Sequence, residues 1–385
     1  MAHIPYGRQA ISAADIQAVC DVLKSDFLTQ GPVVPRFEQA VADYCGVAHG
    51  VAVNSATSAL HLACLALDVG PGDIVWTTPI TFVASSNCAL YCGAEVDFVD
   101  IDPQTYNLSV ERLTEKLVTA EQQGKLPKVV IPVHLCGQPC DMAAIHALGQ
   151  RYGFRIIEDA SHAIGSRYQG KPVGSCQFSD ITVFSFHPVK IITTGEGGMS
   201  VTNNADYAEK MRRLRSHGIT REAEEMTEPP HGPWYYQQIE LGFNYRLTEM
   251  QAALGLSQMQ LLDTVVSERH RIADHYDEAL GAFPAIVRPW QHSGSYSARH
   301  LYVVRVPAAK HHAVFTRMRE LQIGVNLHYI PVYLQPYYRA LGFSAGYCPA
   351  AETYYSEAIS IPIFPALTAQ QQATVLNALT EGMAA

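Results

Sequence analysis

The sequence predicts an α/β protein built around a mainly parallel sheet of about seven strands. Short β-branched runs alternate with helical stretches through roughly the first 200 residues, a pattern typical of a parallel sheet covered on both faces. The chain has 385 residues, of which 48% are hydrophobic and 16% charged, so it can bury a large core. The strands are predicted at 51–53, 74–76, 96–99, 129–133, 155–157, 181–186 and 199–201.

Apolar residues at helical spacing predict the helices that surround these strands. The region 205–240 contains the run Pro229-Pro230 and a further proline at 233, so it is predicted to be irregular. Helices are predicted at about 8–26, through 37–44, and at 58–67, 109–121 and 142–152.

The C-terminal part is predicted to form a smaller α/β domain. Apolar positions recur at helical spacing from Thr248 to about Leu280, which predicts one long connecting helix. We therefore expect a large domain over residues 1–247 and a small domain over 248–385. The remaining elements of the small domain are predicted as strands at 301–306 and 325–329 and helices at 311–321 and after 368.

The net charge of the chain limits which kinds of binding partner we expect. The net charge of -9 and the pI near 5.9 argue against nucleic acid or an anionic membrane surface. The first residues lack the apolar core of a signal peptide, and no apolar run is long enough to span a bilayer. We therefore expect a cytoplasmic protein.

The nine cysteines do not follow the spacing of a disulfide framework. Cys88 and Cys92 are four apart, as are Cys136 and Cys140, but neither pair has a second pair at zinc spacing. Reduced, buried thiols are the expected state, and no metal site is predicted.

Lys190 is the first residue that indicates chemistry. It follows an apolar run that ends in Pro188-Val189, and it precedes Ile191 and a glycine-rich turn. Burial in such surroundings disfavours the ammonium form, and a neutral lysine amine can form a Schiff base. A lysine at the rim of a strand-to-loop turn is the alternative, and taken alone it is the commoner situation.

An acid and a histidine follow the fifth predicted strand. A carboxylate such as Asp159 at the buried end of a strand is costly unless it has a cationic partner, and a protonated ring nitrogen would supply one. His162 could then reach a phenolic oxygen on the same ring. The alternatives are a helix N-cap for Asp159, a structural role for His162, and a metal site, for which further ligands are lacking nearby.

Other polar and aromatic residues follow neighbouring strands. Thr57 and Ser58 open a helix, whose free N–H groups favour an anion such as phosphate, although an N-cap is the commoner reason for such residues. Ser185 ends the sixth strand and could donate to a phosphate. Phe82 could stack on a flat cofactor, or belong to the core. Asn244 precedes the long helix without an obvious local role.

Together these residues form a set that pyridoxal phosphate (PLP) requires: a phosphate cradle, a stacking aromatic, an acid for the ring nitrogen and a Schiff-base lysine. Ligands of open α/β sheets bind at the carboxyl ends of the strands, where all of these residues are expected. A nucleotide P-loop and a dinucleotide fingerprint are excluded, because neither glycine pattern occurs in the sequence.

The chain resembles the DegT/StrS family of PLP-dependent sugar aminotransferases, nearly from end to end. That family has the aspartate aminotransferase architecture, known as fold type I. The resemblance rests on segments 28–31 (LTQG), 54–60 (NSATSAL), 79–84 (PITFVA), 185–190 (SFHPVK) and 215–218 (RSHG).

The resemblance implies roles for the site residues. The lysine matching Lys190 holds the cofactor in a Schiff base, the acid matching Asp159 pairs with the pyridine nitrogen, and the position of His162 bonds the phenolic oxygen. A few family members are dehydratases in which a histidine replaces this lysine, so the retained lysine favours transamination. The remaining cofactor contacts implied are Thr57, Ser58 and Ser185 on the phosphate and Phe82 on the ring.

The position of Asn244 reaches the phosphate of the neighbouring subunit in that family. This resemblance therefore implies a homodimer whose two active sites are shared between subunits. The role also explains an asparagine for which the chain offers no local partner.

The substrate expected from the resemblance is a UDP-linked 4-keto sugar. The matching segments are most similar to the branch of the family that serves pseudaminic acid biosynthesis, which implies UDP-2-acetamido-2,6-dideoxy-β-L-arabino-hex-4-ulose as acceptor and L-glutamate as donor. The alternatives are a related perosamine or 4-amino-arabinose enzyme, a glutamine donor, or a PLP-binding regulator without turnover. The candidate substrate contacts are Tyr6, Gln30, His328 and Tyr329.

Overall fold

Residues 3–384 are described by the computed structural model, and a seven-stranded sheet lies at their centre. Numbered along the chain, the strands are β1 (His49–Val53), β2 (Ile74–Thr77), β3 (Glu95–Phe98), β4 (Val129–Ile131), β5 (Arg155–Asp159), β6 (Arg167–Tyr168), β7 (Lys171–Pro172), β8 (Ile181–Ser185), β9 (Gly198–Thr202), β10 (Ile219–Thr220), β11 (Gln237–Gln238), β12 (Ser295–Tyr296), β13 (Tyr302–Arg305) and β14 (Ala358–Ile361).

The order of strands in the central sheet is β1-β9-β8-β5-β4-β2-β3. Six of the seven strands are parallel to one another, and β9 runs antiparallel to both of its neighbours. The mostly parallel sheet predicted from the alternating pattern is therefore confirmed. In the register of the sheet, Ser185 pairs with Gly198 and Gly198 pairs with Val53, so the ends of β8 and β1 meet across the start of β9.

Both faces of the sheet are covered, because strand residues alternate between two hydrophobic cores. Val75 packs in a core with α3 and α7, whereas its neighbour Trp76 packs against α5 and α6 on the opposite face. The helices are α1 (Ala13–Leu23), α2 (Val33–Cys45), α3 (Ala56–Ala66), α4 (Ala84–Tyr91), α5 (Val110–Gln123), α6 (Met142–Tyr152), α7 (Ala205–Leu214), α8 (Glu249–Met259), α9 (Leu262–Leu280), α10 (Ala308–Glu320), α11 (Pro336–Ala340), α12 (Pro349–Glu357) and α13 (Ala369–Ala384).

The prediction of one long helix from Thr248 to Leu280 is wrong, because α8 ends at Met259 and α9 begins at Leu262. α8 packs against α1 and α2, whereas α9 packs against α13. Gln260 and Leu261 separate the two helices, and Leu262 stays buried, so the apolar spacing continues across the break.

Two further local predictions are wrong. Residues 205–214 form α7, which is capped by Asn204 and buries Ala208 and Met211. Pro229, Pro230 and Pro233 lie beyond this helix and do not interrupt it. Instead of the strand predicted at 325–329, Asn326 makes a single bridge to Ser360 on β14, and β14 pairs along its length with β13.

The C-terminal part forms the expected smaller α/β unit. The β13–β14 pair packs with α9, α10 and α13 around a core of its own, which also takes in Ile4 from the N-terminal arm. The division after residue 247 stays a prediction. Among residues 3–384, none of the helices combines the length and the apolar character needed to cross a bilayer.

Candidate active site

Most of the predicted site residues gather at one edge of the central sheet. Asp159 is the last residue of β5, and Ser185 is the last residue of β8. Thr57 lies in the first turn of α3, directly after β1, and Phe82 lies in the segment between β2 and α4. Because these strands are parallel, their carboxyl ends share one edge, which is where α/β proteins bind ligands.

The Asp159 carboxylate is buried, with 4% of its surface exposed. One of its oxygens, Oδ2, accepts a hydrogen bond of 2.6 Å from the Ser85 hydroxyl. The other, Oδ1, accepts the backbone N–H of Ser161 at 3.1 Å. Each carboxylate oxygen has two lone pairs, so the group can also accept a hydrogen bond from a ligand.

Lys190 lies in the loop between β8 and β9, in the same region as Asp159. Burial lowers the pKa of the Lys190 amine to about 8, and the negative charge of Asp159 opposes this shift. A lysine with such a pKa carries a substantial neutral fraction near neutral pH, which is the form that acts as nucleophile or base.

The His162 ring is held as one tautomer. Its Nδ1 atom accepts the backbone N–H of Cys136 at 3.3 Å, so the proton of the neutral ring is on Nε2. Nε2 lies 3.2 Å from the Tyr329 hydroxyl and donates to it. Burial, followed by the charges of Lys190 and His328, holds the pKa of His162 well below its usual value. A neutral donor therefore faces the site at physiological pH.

The N-terminus of α3 forms a cradle together with β9. A Cβ atom on Gly198 would lie 2.5 Å from the backbone nitrogen of Ala56, so only glycine allows this close approach. Ser55 caps the helix by accepting the N–H of Ser58. Within the described residues, the hydroxyls of Thr57 and Ser185 make no hydrogen bond, so both are available to an anion.

The Ser58 hydroxyl differs from its neighbours, because it already donates to Asn54 Oδ1 at 2.7 Å. It also lies 3.0 Å from the Ser55 hydroxyl. In this arrangement the hydroxyl must rotate before it can donate to a phosphate. Its present effect is to hold Asn54 and Ser55 in position at the start of α3.

Phe82 is 60% exposed, although it lies beside a buried site. Its ring centroid is 6.3 Å from that of Tyr329, with the planes tilted by 56°. An exposed aromatic ring of this kind is unusual for a core residue and offers a surface on which a flat ligand can stack.

Three of the four candidate substrate residues come together. The Tyr6 and His328 rings are 5.6 Å apart, and Tyr329 follows His328 directly. Burial, followed by the charge of Lys190, lowers the pKa of His328 to about 4. Gln30 is exposed on the loop before α2, and within residues 3–384 it makes no hydrogen bond to the other three.

Asn244 is exposed, in the segment that precedes α8. Its backbone forms a bridge with Ser216, and Arg246, two residues on, forms a bridge with Val53 at the end of β1. The Asn244 side chain makes no hydrogen bond within the described part of the chain, so it is free for a partner outside this subunit.

Sequence reasoning missed two buried residues of the site. Ser85 bonds Asp159, and its spacing of four residues from Thr81 was the available signal. The His300 ring lies 4.4 Å from that of His162, and its Nδ1 atom is buried without a partner among the described residues. The preceding residue, Arg299, has a positive φ of +52°, and no sequence pattern indicates that backbone conformation.

The nine cysteines are all free thiols. No group of three or more histidine, cysteine, aspartate or glutamate residues within positions 3–384 is arranged to hold a metal ion.

The comparison with protein families decides what class of protein carries this site. Residues 9–380 match the DegT/DnrJ/EryC1/StrS aminotransferase family. The chain belongs to this family. The resemblance inferred from the motifs is thereby confirmed. The protein is an aminotransferase that acts on sugars, and its cofactor is PLP.

Individual relatives agree with this assignment. The chain is 37% identical to the spore coat polysaccharide biosynthesis protein SpsC of Bacillus subtilis, over 98% of this chain and 96% of SpsC. Helicobacter pylori PseC, an aminotransferase involved in pseudaminic acid biosynthesis, superposes with a TM-score of 0.90 at 30% identity, covering 99% of each chain. The PLP-form of Spr1654 from Streptococcus pneumoniae superposes with a TM-score of 0.89 at 28% identity, covering 99% of this chain and 98% of Spr1654.

The residues present at the sheet edge fit the cofactor of this family. The cradle beside Gly198 has free hydroxyls for a phosphate, and Phe82 exposes a ring face for the pyridine. Asp159 has a buried carboxylate with spare lone pairs, and Lys190 has an amine with a lowered pKa. These features match the four chemical requirements of PLP.

Proposed function

We propose that this enzyme transfers an amino group from L-glutamate to C4 of a UDP-linked 4-keto-6-deoxy-N-acetyl hexose. The observation that carries the proposal is the similarity to PseC over 99% of both chains. The cluster of Tyr6, His328 and Tyr329 supports it, because aromatic and imidazole groups bind sugar faces and hydroxyls, and the charge of Lys190 acts on His328.

Bound PLP supplies an electron sink that allows an amino group to pass between two substrates. Lys190 would hold the cofactor through its side-chain nitrogen in the resting enzyme. The neutral Lys190 amine would take the proton from the α-carbon of glutamate, and the resulting ammonium would give that proton back later in the reaction. Its pKa of about 8 suits both steps, because base and acid forms coexist near neutral pH.

Asp159 and His162 are proposed to contact two polar atoms of the cofactor ring, its nitrogen and its phenolic oxygen. The Asp159 carboxylate keeps the ring nitrogen protonated, since a buried anion favours a proton on its partner. The Nε2–H of His162 donates to the phenolic oxygen, which requires the Tyr329 hydroxyl to yield that hydrogen bond. Both contacts strengthen the withdrawal of electrons from the reacting carbon.

The phosphate is proposed to bind at the start of α3. Free N–H groups and the helix dipole favour an anion there, and Thr57 and Ser185 add hydroxyl donors. Ser58 would join after its hydroxyl rotates away from Asn54. Phe82 would cover one face of the ring.

A homodimer with shared sites is part of the proposal. Asn244 is exposed and has no partner within the described chain, as expected of a residue that contacts the phosphate of a neighbouring subunit. The exposed Leu241, three residues earlier, is consistent with a covered surface in the assembly. A cytoplasmic location is proposed with it, since all nine cysteines are free.

A different nucleotide sugar is the second candidate. The chain is more similar to SpsC, at 37% identity, than to PseC, at 30%, and SpsC serves spore coat polysaccharide biosynthesis. A perosamine or 4-amino-arabinose type of acceptor, left open by the resemblance of the motifs, is the alternative. A PLP-binding regulator without turnover is disfavoured by the retained Lys190 and its lowered pKa.

The deciding experiment is mass spectrometry of the product formed with glutamate and a panel of nucleotide-linked 4-keto sugars. We expect the UDP-linked N-acetyl sugar to gain an amino group and the other sugars to react more slowly. Preference for a GDP-linked or arabinose-type acceptor would instead support the second candidate. Glutamate alone should convert the cofactor to its amino form, conversion by glutamine only would indicate the other donor, and failure with both would support the regulator.

A further inference from the structure

Ser85 lies within hydrogen-bonding reach of the acid of the site, although it was not among the expected cofactor residues. It occupies the second position of α4 and is 1% exposed. Its hydroxyl donates to Asp159 Oδ2 at 2.6 Å, a distance typical of a hydroxyl that bonds a charged oxygen. A second hydroxyl, that of Thr81, lies 2.7 Å from Ser85 Oγ and is also buried.

Which hydroxyl donates to which follows from the carboxylate at the end of this hydrogen-bond chain. An ionised carboxylate only accepts, so the single proton of Ser85 is given to Asp159. The carbonyl of Phe82 is a weaker competitor for that proton, at 3.3 Å. Ser85 Oγ must therefore accept from Thr81, which gives a chain of donors from Thr81 through Ser85 to the carboxylate.

This chain fixes the carboxylate at both oxygens. Oδ2 is held by Ser85 and Oδ1 by the backbone of Ser161 on the strand side. With both oxygens engaged, the plane of the carboxylate cannot rotate without the loss of a buried hydrogen bond. The remaining lone pairs then point in a fixed direction.

The same link joins two parts of the site. Thr81 and Ser85 flank Phe82 in sequence, so their contact with Asp159 ties the segment that bears Phe82 to the end of β5. The aromatic face and the acid are thereby held at one spacing, before any ligand is present. Such preorganisation of a polar contact is a general requirement of precise sites.

We propose that Ser85 is a positioning residue that orients the Asp159 carboxylate toward the ring nitrogen of PLP. The inference rests on the role proposed for Asp159 and goes beyond it, by naming the group that holds the acid in place. Ser85 touches neither substrate nor reacting atoms, so its effect has to pass through Asp159.

A double-mutant cycle on PLP affinity tests this inference. The variants are Ser85→Ala, Asp159→Asn and the two combined, with Ser85→Thr as the conservative change that keeps the hydroxyl. Ser86→Ala is the matched control, because Ser86 is equally buried on the same helix but bonds Val83 and Tyr338. The dissociation constant for PLP is measured by absorbance titration, and the thermal midpoint of each cofactor-free variant is recorded.

We expect Ser85→Ala to weaken PLP binding about ten- to one-hundred-fold, the range for loss of a hydrogen bond to a charged group. Ser85→Thr should restore affinity, and Ser86→Ala should leave it within about twofold. In the Asp159→Asn background, Ser85→Ala should have little further effect, because the charged acceptor is gone.

Three kinds of result would overturn the inference, and they are distinguishable. If Asp159→Asn leaves PLP affinity unchanged, the role proposed for Asp159 fails and the Ser85 inference fails with it. If Asp159→Asn weakens PLP binding but Ser85→Ala does not, only the Ser85 inference fails. The same holds if the loss caused by Ser85→Ala adds in full to the loss caused by Asp159→Asn. Equal losses in affinity for Ser86→Ala and Ser85→Ala would likewise show a general effect on α4.

Discussion

At the scale of single residues, the site depends on groups whose protonation is set by burial. Lys190 and His162 are both shifted toward their neutral forms, and each has a specific use for neutrality. A neutral amine can attack a carbonyl group, and a neutral imidazole with its proton on Nε2 can donate one hydrogen bond in a fixed direction.

The lowered pKa of Lys190 predicts how cofactor attachment depends on pH. The reactive form is the neutral amine, so the attachment rate of PLP to the cofactor-free enzyme should rise with pH up to about 8 and then level off. Stopped-flow absorbance measures this rate. An increase that continues toward pH 10 would contradict the lowered pKa, and Lys190→Ala should abolish the absorbance band while exposed Lys171→Ala retains it.

His162 should remain neutral throughout the physiological range. Its pKa lies well below the usual value, so protonation begins only at more acidic pH. Nitrogen NMR of the cofactor-free enzyme, with histidine labelled, should show His162 with a protonated Nε2 that does not titrate between pH 6 and 8. A titration midpoint within that interval, or a proton on Nδ1, would refute the tautomer.

At the scale of elements, the contact between α3 and β9 makes the phosphate cradle. Gly198 lets the strand approach the first turn of the helix, where free N–H groups are available. The geometry at this contact is set by backbone atoms, so it tolerates no side chain on the strand.

Gly198→Ala should therefore displace the start of α3. Its new Cβ would lie 2.5 Å from Ala56 N, and overpacking of this kind costs about 1–3 kcal/mol. We expect PLP affinity to fall at least tenfold and the thermal midpoint to fall as well. Gly70→Ala is the control, because a Cβ there meets no atom within 4 Å, and it should leave both values near those of the wild type.

At the scale of the whole molecule, the proposed shared site predicts complementation between two inactive variants. Lys190→Ala and Asn244→Ala subunits, mixed in equal amounts, should regain about a quarter of wild-type activity. Half of the dimers are then mixed, and each mixed dimer has one intact site. If mixed dimers form but stay inactive, Asn244 acts within its own subunit or has no role in binding.

The sequence was sufficient to predict the central sheet, because its strands are buried β-branched runs separated by helices. The positions of Asp159, Thr57 and Ser185 at or directly after strand ends were also predictable, and the roles of these residues and of Lys190 and His162 stay predictions. The break between α8 and α9 was missed because the apolar spacing is unbroken across it, and only the packing partners change. Ser85 and His300 were missed because their contacts join segments that are distant in sequence.

Because β9 runs antiparallel to β8, the loop that carries Lys190 is the turn of a β-hairpin. β8 and β9 form a hairpin, and their pairing continues past Ser185, because the Phe186 carbonyl accepts the N–H of Thr194 at 3.0 Å. Lys190 is thus at the tip of a short closed turn, whose shape comes from neighbouring backbone atoms. Such local contacts form early and at little entropic cost. The scaffold for the lysine therefore does not depend on the lysine itself, and a different side chain at position 190 could inherit the same turn and be presented to the same cleft.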